Sequence, residues 1–283
     1  MIDIYKPALA VVHGDGMSAR NMNGVMPVLF IGHGSPMNGV DDSEFSAGWT
    51  RVAGSFPKPK AVLCISAHWE TEGSLVTSMP NPPTIHDFYG FPKKLFDIQY
   101  LAPGSPRLAD EVIKMAAGGG VKQSLEWGLD HGCWVVLRRM YPEADLPVVQ
   151  LSLDVTKSPR DHYELARKLS PLRSKGVLIL GSGNMVHNLG LVEPRGRDFN
   201  AEFGFPWANK ASKLFKKLID EANNDALIDY QGLGEDVRLA VPTNEHYLPM
   251  LYVLAQKSRG EPLSYFNDKA VAGSLTMTSF KIG

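Results

Sequence analysis

Cysteine is nearly missing from this chain: its 283 residues include only Cys64 and Cys133. Each lies inside an apolar stretch, which excludes a disulfide framework and reads as a reduced core thiol. Any excess of charge is missing too. The 29 basic and 30 acidic residues leave a formal net charge of −1, which gives no electrostatic footprint for nucleic acid or an anionic membrane. No apolar run reaches the roughly 18 residues of a spanning helix. The opening MIDIYKPALAVVHGDG has an acidic residue at position 3 and lacks the basic start and long apolar core of a secretory signal. A cytoplasmic location is the expectation.

Several chemical signatures are also lacking. There is no G-x-S-x-G elbow and no P-loop, and GSGNMV (181–186) lacks the third glycine of a dinucleotide fingerprint. Ser35 and Ser182 read as turn formers. Cys64, although four residues before His68, reads as a packing residue in a buried strand. HExxH, paired CxxC and histidine pairs at helical spacing do not occur, so any metal site must be assembled by the fold from distant residues.

What is there is an ordinary globular composition, 44% hydrophobic and 21% charged, in a regular alternation of elements. Buried apolar runs predict strands at 26–32, 60–67, 74–79, 146–153 and 176–183, and alternation predicts one at 274–282. Helices are expected at 42–53, 105–117, 131–141, 159–173, 207–222 and 244–256. In 207–222, Trp207, Ala211, Leu214, Leu218 and Ile219 share one face. The alternation implies a single α/β domain at 26–283, with a central mostly parallel or mixed sheet flanked by helices on both faces. Residues 1–25 read as an N-terminal extension.

Histidine is the informative residue. His33 follows VLFIG, His68 follows AVLCISA and His187 follows GVLILGSGNMV, while His246 precedes YLPMLYVLA. In an open α/β sheet, loops leaving the carboxyl ends of strands converge on one crevice. Three distant imidazoles would meet there, and a fourth could join from a helix, which favours a mononuclear metal site. Imidazole suits zinc and iron(II) alike. For any one of them alone, a neutral histidine hydrogen-bonded at a strand end is the plainer expectation. His162 falls in a polar helix and reads as a surface residue; neither it nor His13 is given a role.

Six segments carry a more specific pattern. MPVLFIGHGSPMN, KAVLCISAHWET, PPTIHDFYGFP, LDHGCWVVLRRMYP, GSGNMVHNLG and EHYLPMLYVLA resemble, in order, the motifs of the class III extradiol ring-cleaving dioxygenases, in their DOPA 4,5-dioxygenase-type branch. The match runs from about residue 26 through the terminal GSLTMTSFKIG. The resemblance implies that His33, His68 and His246 are metal ligands, with Glu245 the competing third ligand because related enzymes use glutamate there. It makes His187 either a fourth ligand or an acid/base group and places His131 beside the substrate as an acid/base group. His86 and Asp87 fall in the loop resembling a substrate lid, where a solvated loop is an equal alternative, and Ser35 joins them as a substrate contact. Threonine is usual where this chain has Cys133.

The implied cofactor is one divalent ion, iron(II) for turnover or zinc as bound. The implied partners are a small catechol and O2, with no nucleic acid and no membrane. Two other functions compete. Three histidines and an open position would equally suit a zinc hydrolase of a small amide or ester, and the fold could persist as a binding protein without a competent metal.

Overall fold

The computed structural model describes residues 24–116, 120–196 and 198–283. Most of the expected N-terminal extension, with His13, lies outside them, as does Ala117 at the end of one predicted helix. The strands are β1 (Val28–Gly32), β2 (Ala61–Thr71), β3 (Leu75–Thr77), β4 (Lys122–Ser124), β5 (Val148–Asp154), β6 (Val177–Gly183), β7 (Leu263–Phe266), β8 (Ala270–Val271), β9 (Leu275–Thr276) and β10 (Ser279–Ile282). Eight of them form one mixed sheet in the order β4-β3-β5-β2-β6-β1-β10-β7, and β8 and β9 make a separate hairpin. The central four, β5-β2-β6-β1, are parallel, and antiparallel pairs flank them.

Why the central strands are apolar on consecutive residues follows from burial on both faces. Val28, Phe30, Leu63, Ile65 and Ile179 face one core, and Leu29, Ile31, Val62, Cys64, Leu178 and Leu180 face the other. The first core is closed by α3 (Pro106–Met115), α5 (Pro159–Lys168), α7 (Pro206–Asp220) and α10 (Leu248–Leu254). The second is closed by α1 (Glu44–Ala53) and α4 (His131–Met140), whose Phe45, Trp49 and Trp134 are fully buried. Shorter helices complete the chain: α2 (Lys93–Phe96), α6 (Pro171–Ser174), α8 (Asn224–Ile228) and α9 (Glu235–Ala240). Cys64 and Cys133 are free and buried, and no helix among the described residues is long and apolar enough to cross a membrane.

Four expectations need correction. The helix expected over 159–173 breaks after Lys168, and Pro171 starts a new turn, because proline lacks an N–H and disfavours helix in the residue before it. The helix expected over 244–256 begins only at Leu248. Pro249 thus sits in the first turn, where its missing N–H costs nothing, and His246 occupies the preceding turn, not a helix. The run 274–282 divides: β9 pairs with β8 and β10 with β1. In α7 the buried residues are Ala208, Ala211, Ser212, Phe215, Leu218 and Ile219, with Trp207 and Leu214 only partly covered, so the face is rotated by about one residue from the expected stripe.

His162 is the fifth and sharpest correction. It is not at the surface but fully buried, where its Nδ1 accepts from the Tyr252 hydroxyl at 2.9 Å and its Nε2 donates to Asp154 O at 3.2 Å. Burial lowers its pKa to about 4. The unfolded chain therefore binds a proton that the folded one refuses, so stability is lost as pH falls from about 6.5 toward 4. In metal-free protein, His162→Gln is expected to flatten the fall in urea-melt stability between pH 7 and pH 5, by on the order of 2 kcal/mol. An unchanged slope would remove His162 from the acid response.

Candidate metal centre

The site lies at the carboxyl ends of the parallel strands. His33 stands just beyond β1, and its backbone N–H donates to Gly183 O at the end of β6, at 3.2 Å. Its loop is pinned from behind, since Asn38 Nδ2 donates to His33 O at 3.3 Å and Arg139 Nε donates to Asn38 O at 2.9 Å. His68 lies inside β2, which runs past the expected end at Ala67. Ile65 pairs with Leu151 and Glu70 with Leu153, so residues 66–69 oppose Ser152 alone. Such a bulge re-aims a side chain, and here it carries His68. Backbone geometry is stabilised by Ser66, whose Oγ accepts from His68 N at 3.2 Å and donates to Asp130 Oδ1 at 2.7 Å.

His246 is held against β6 by close backbone contact. Its carbonyl accepts from Asn184 N at 2.9 Å, and a Cβ on Gly183 would fall 2.2 Å from that oxygen, so only glycine permits the approach. His131 opens α4, capped by Asp130, whose side chain accepts from Cys133 N at 3.1 Å. His187 follows β6 and bridges to Leu275.

Five imidazoles consequently meet. Ring centroids are 5.0 Å apart for His33 and His68, 5.3 Å for His33 and His246, and 4.9 Å for His68 and His246. His131 lies 3.8 Å from His68, and His187 stacks on His246 at 3.4 Å with an 8° tilt. One ligand atom each from His33, His68 and His246 lies within 4.8 Å of the others. His187 does not join that group; it forms a neighbouring one with Glu245 and His246.

Each of the three grouped rings has an oxygen beside its Nδ1. His33 Nδ1 meets Ser182 Oγ at 3.0 Å, His68 Nδ1 lies 3.5 Å from Asp87 Oδ2, and His246 Nδ1 donates to Glu245 Oε1 at 3.0 Å. The Nε2 atoms of His33 and His68 face each other, 3.1 Å apart. Outer partners that fix the tautomer in this way are what ligating histidines need. Glu245 is thereby engaged on His246, and not grouped with His33 and His68.

Burial, then mutual repulsion, holds His33, His68 and His246 well below the usual imidazole range; burial brings His187 down to about 4. All four are neutral near pH 7, the form that coordinates a cation. The neutral His246 ring donates from Nδ1 to a Glu245 carboxyl oxygen, and the neutral His68 ring stands with Nδ1 3.5 Å from Asp87 Oδ2. Borderline nitrogen donors in this number fit a zinc or iron(II) ion.

The remaining expected residues are placed differently. Ser35 caps a short turn, accepting from Met37 N at 3.3 Å. His86 Nε2 donates to Ile98 O at 2.9 Å, and its ring packs among Phe88, Phe96 and Trp134, so its polar edge is spent within the loop. Asp87 turns inward, accepting from His131 N and His131 Nδ1, both at 2.8 Å. Burial alone would raise its pKa, but the bonds from His131 outweigh it and the net shift is downward. Ser182 is no turn former. It is the penultimate residue of β6, fully buried, donates to Gly132 O at 2.5 Å and orients His33. A serine near the end of a buried strand leading to the site was the only signal for it.

Comparisons with known proteins show the family. Residues 26–258 match the family described as the catalytic LigB subunit of aromatic ring-opening dioxygenase. A relative from Escherichia coli (strain K12), named 4,5-DOPA dioxygenase extradiol, is 43% identical over 262 residues, covering 91% of this chain and 95% of the relative. A Beta vulgaris protein of the same name is 35% identical over 264 residues, covering 91% and 96%. The crystal structure of an uncharacterized Escherichia coli K12 protein superposes with a TM-score of 0.76 at 38% identity, covering 91% of this chain and all of that one. The chain belongs to the LigB family of aromatic ring-opening dioxygenases, within the class III extradiol superfamily, and is an oxidoreductase that cleaves aromatic rings.

Proposed function

We propose that His33, His68 and His246 hold one divalent ion, iron(II) for turnover and zinc as an alternative occupant, and that the substrate is a small DOPA-like catechol opened with O2 to a semialdehyde acid. The observation that carries this reading is the convergence of three rings, each with an oxygen beside its Nδ1. When bound, the ion would supply Lewis acidity toward the catechol oxygens and the redox capacity that O2 chemistry requires.

The chain's own groups move the protons. His131, with Nδ1 held by Asp87, presents Nε2 as the base that takes the catechol hydroxyl proton. His187, neutral and stacked on His246, accepts and returns a proton as the ring opens. Bringing the catechol beside both groups converts proton transfer to an intramolecular event. A cytoplasmic setting, with Cys64 and Cys133 reduced, belongs to the same reading.

The decisive experiment is oxygen uptake by iron(II)-reconstituted apoprotein with a small catechol panel that includes DOPA. Uptake equal to substrate consumed, with a coloured semialdehyde product, is expected. No uptake with any catechol, together with anaerobic hydrolysis of an ester or amide by zinc-loaded protein, would replace this reading with the hydrolase.

A further inference from the structure

The lid loop ends on a carboxylate that does not face outward, and the geometry points to a role for it. We propose that Asp87 is a positioning residue that uses one carboxylate to set the tautomers of both His131 and His68; this rests on the roles given above to those two histidines. Oδ1 accepts from His131 N, Oδ2 accepts from His131 Nδ1, and the same Oδ2 lies 3.5 Å from His68 Nδ1. A proton held on each Nδ1 leaves a lone pair on each Nε2. On His131 that lone pair is the base; on His68 it is the donor aimed at the ion.

The loop fixes the register of Asp87 from both sides. On one side, Ile85 N donates to Leu129 O at 2.7 Å and Trp134 Nε1 donates to Ile85 O at 2.9 Å. His86 is tied to Ile98 O, and the Phe88 ring meets His131 edge-on at 5.6 Å. The Asp87 side chain is only 15% exposed, too enclosed to serve as a solvated loop carboxylate. Its bond to His131 N also satisfies the first free N–H of α4, so a purely structural role must be separated from a tautomeric one.

Long-range ¹H–¹⁵N correlation spectra of histidine-labelled protein make that separation without any activity measurement. In zinc-loaded wild type, His131 is expected as the Nδ1–H tautomer. Asp87→Asn can satisfy the backbone N–H through its remaining oxygen but cannot also hold both rings. In this variant the His131 spectrum should shift toward Nε2–H, zinc affinity should fall about 10- to 100-fold, and kcat should fall with catechol KM nearly unchanged.

Three results would overturn the proposal. One is a wild-type His131 protonated on Nε2, a measurement that stands even if the variant does not fold. Another is an Asp87→Asn protein that melts lower yet keeps the wild-type tautomers and zinc affinity, as helix capping alone would give. The third is two zinc ions per chain with one lost in the variant, since His68, Asp87 and His131 would then be a cation site of their own. Loss of catechol turnover in wild type with the tautomers intact would instead count against the assigned reaction and leave the positioning role standing.

Discussion

His33→Ala protein is expected to retain less than about one tenth of an equivalent of ion and to lose oxygen uptake altogether, whereas His131→Ala keeps the ion and loses most turnover. The two side chains sit in one cluster, with ring centroids 5.6 Å apart, so the contrast tests roles and not proximity. In the proposed site His33 supplies one of the three ligand atoms. Removing even an outer partner of a ligating histidine costs 10- to 100-fold in affinity; removing the donor costs more. His131 is grouped with His68 and Asp87 instead, and a positioned base contributes roughly 10²- to 10⁴-fold to rate. Metal content by elemental analysis beside oxygen-electrode rates decides the matter. Metal loss in His131→Ala equal to that in His33→Ala would make His131 a ligand and undo the assignment.

Gly132→Ala should destabilise the fold and weaken the ion together. A Cβ at this position would lie 2.4 Å from Ser66 Oγ and 2.9 Å from His68 Cδ2. Neither neighbour can yield freely: Ser66 is buried and donates to Asp130 at 2.7 Å, and His68 is carried by the bulge of β2. In a helix, glycine to alanine gains up to about 1 kcal/mol, while forced overpacking costs typically 1–3 kcal/mol. Overpacking wins, so urea melts of the apoprotein should show a net loss of about 1–2 kcal/mol. Zinc titration should show affinity reduced at least tenfold, because His68 is the atom group displaced. A variant as stable and as tightly metallated as wild type would show that the contact relaxes without moving the ring.

Much of this site is legible in the chain because strand ends in an open α/β sheet are predictable meeting points. His33, His68 and His187 each follow a buried apolar run, and the structure brings all three to one end of the sheet. What cannot be read is anything set by partners across the fold. The bulge in β2 leaves no mark in KAVLCISAHWET, since pairing register is decided by β5. Ser182 resembles any serine beside glycine until His33 is placed next to it. Which of Glu245 and His246 groups with His33 and His68 turns on one residue's rotation within a turn, before a helix that was expected to start four residues earlier. His162 lies in a run of polar neighbours, and only the packing of α5 on α10 covers it. Asp87 belongs to a loop without regular structure, so its inward turn is a product of Ile85, Phe88 and Trp134.

The three proposed ligands stand just beyond β1, within β2 and in the turn before α10, segments near opposite ends of the described chain. No fragment of the protein can therefore reproduce the site, and an ion seated there staples early and late segments together. By mass action, occupancy at a thousandfold excess over the dissociation constant adds about 4 kcal/mol to global stability. An occupied site would thus be felt as added resistance to unfolding across the whole sheet.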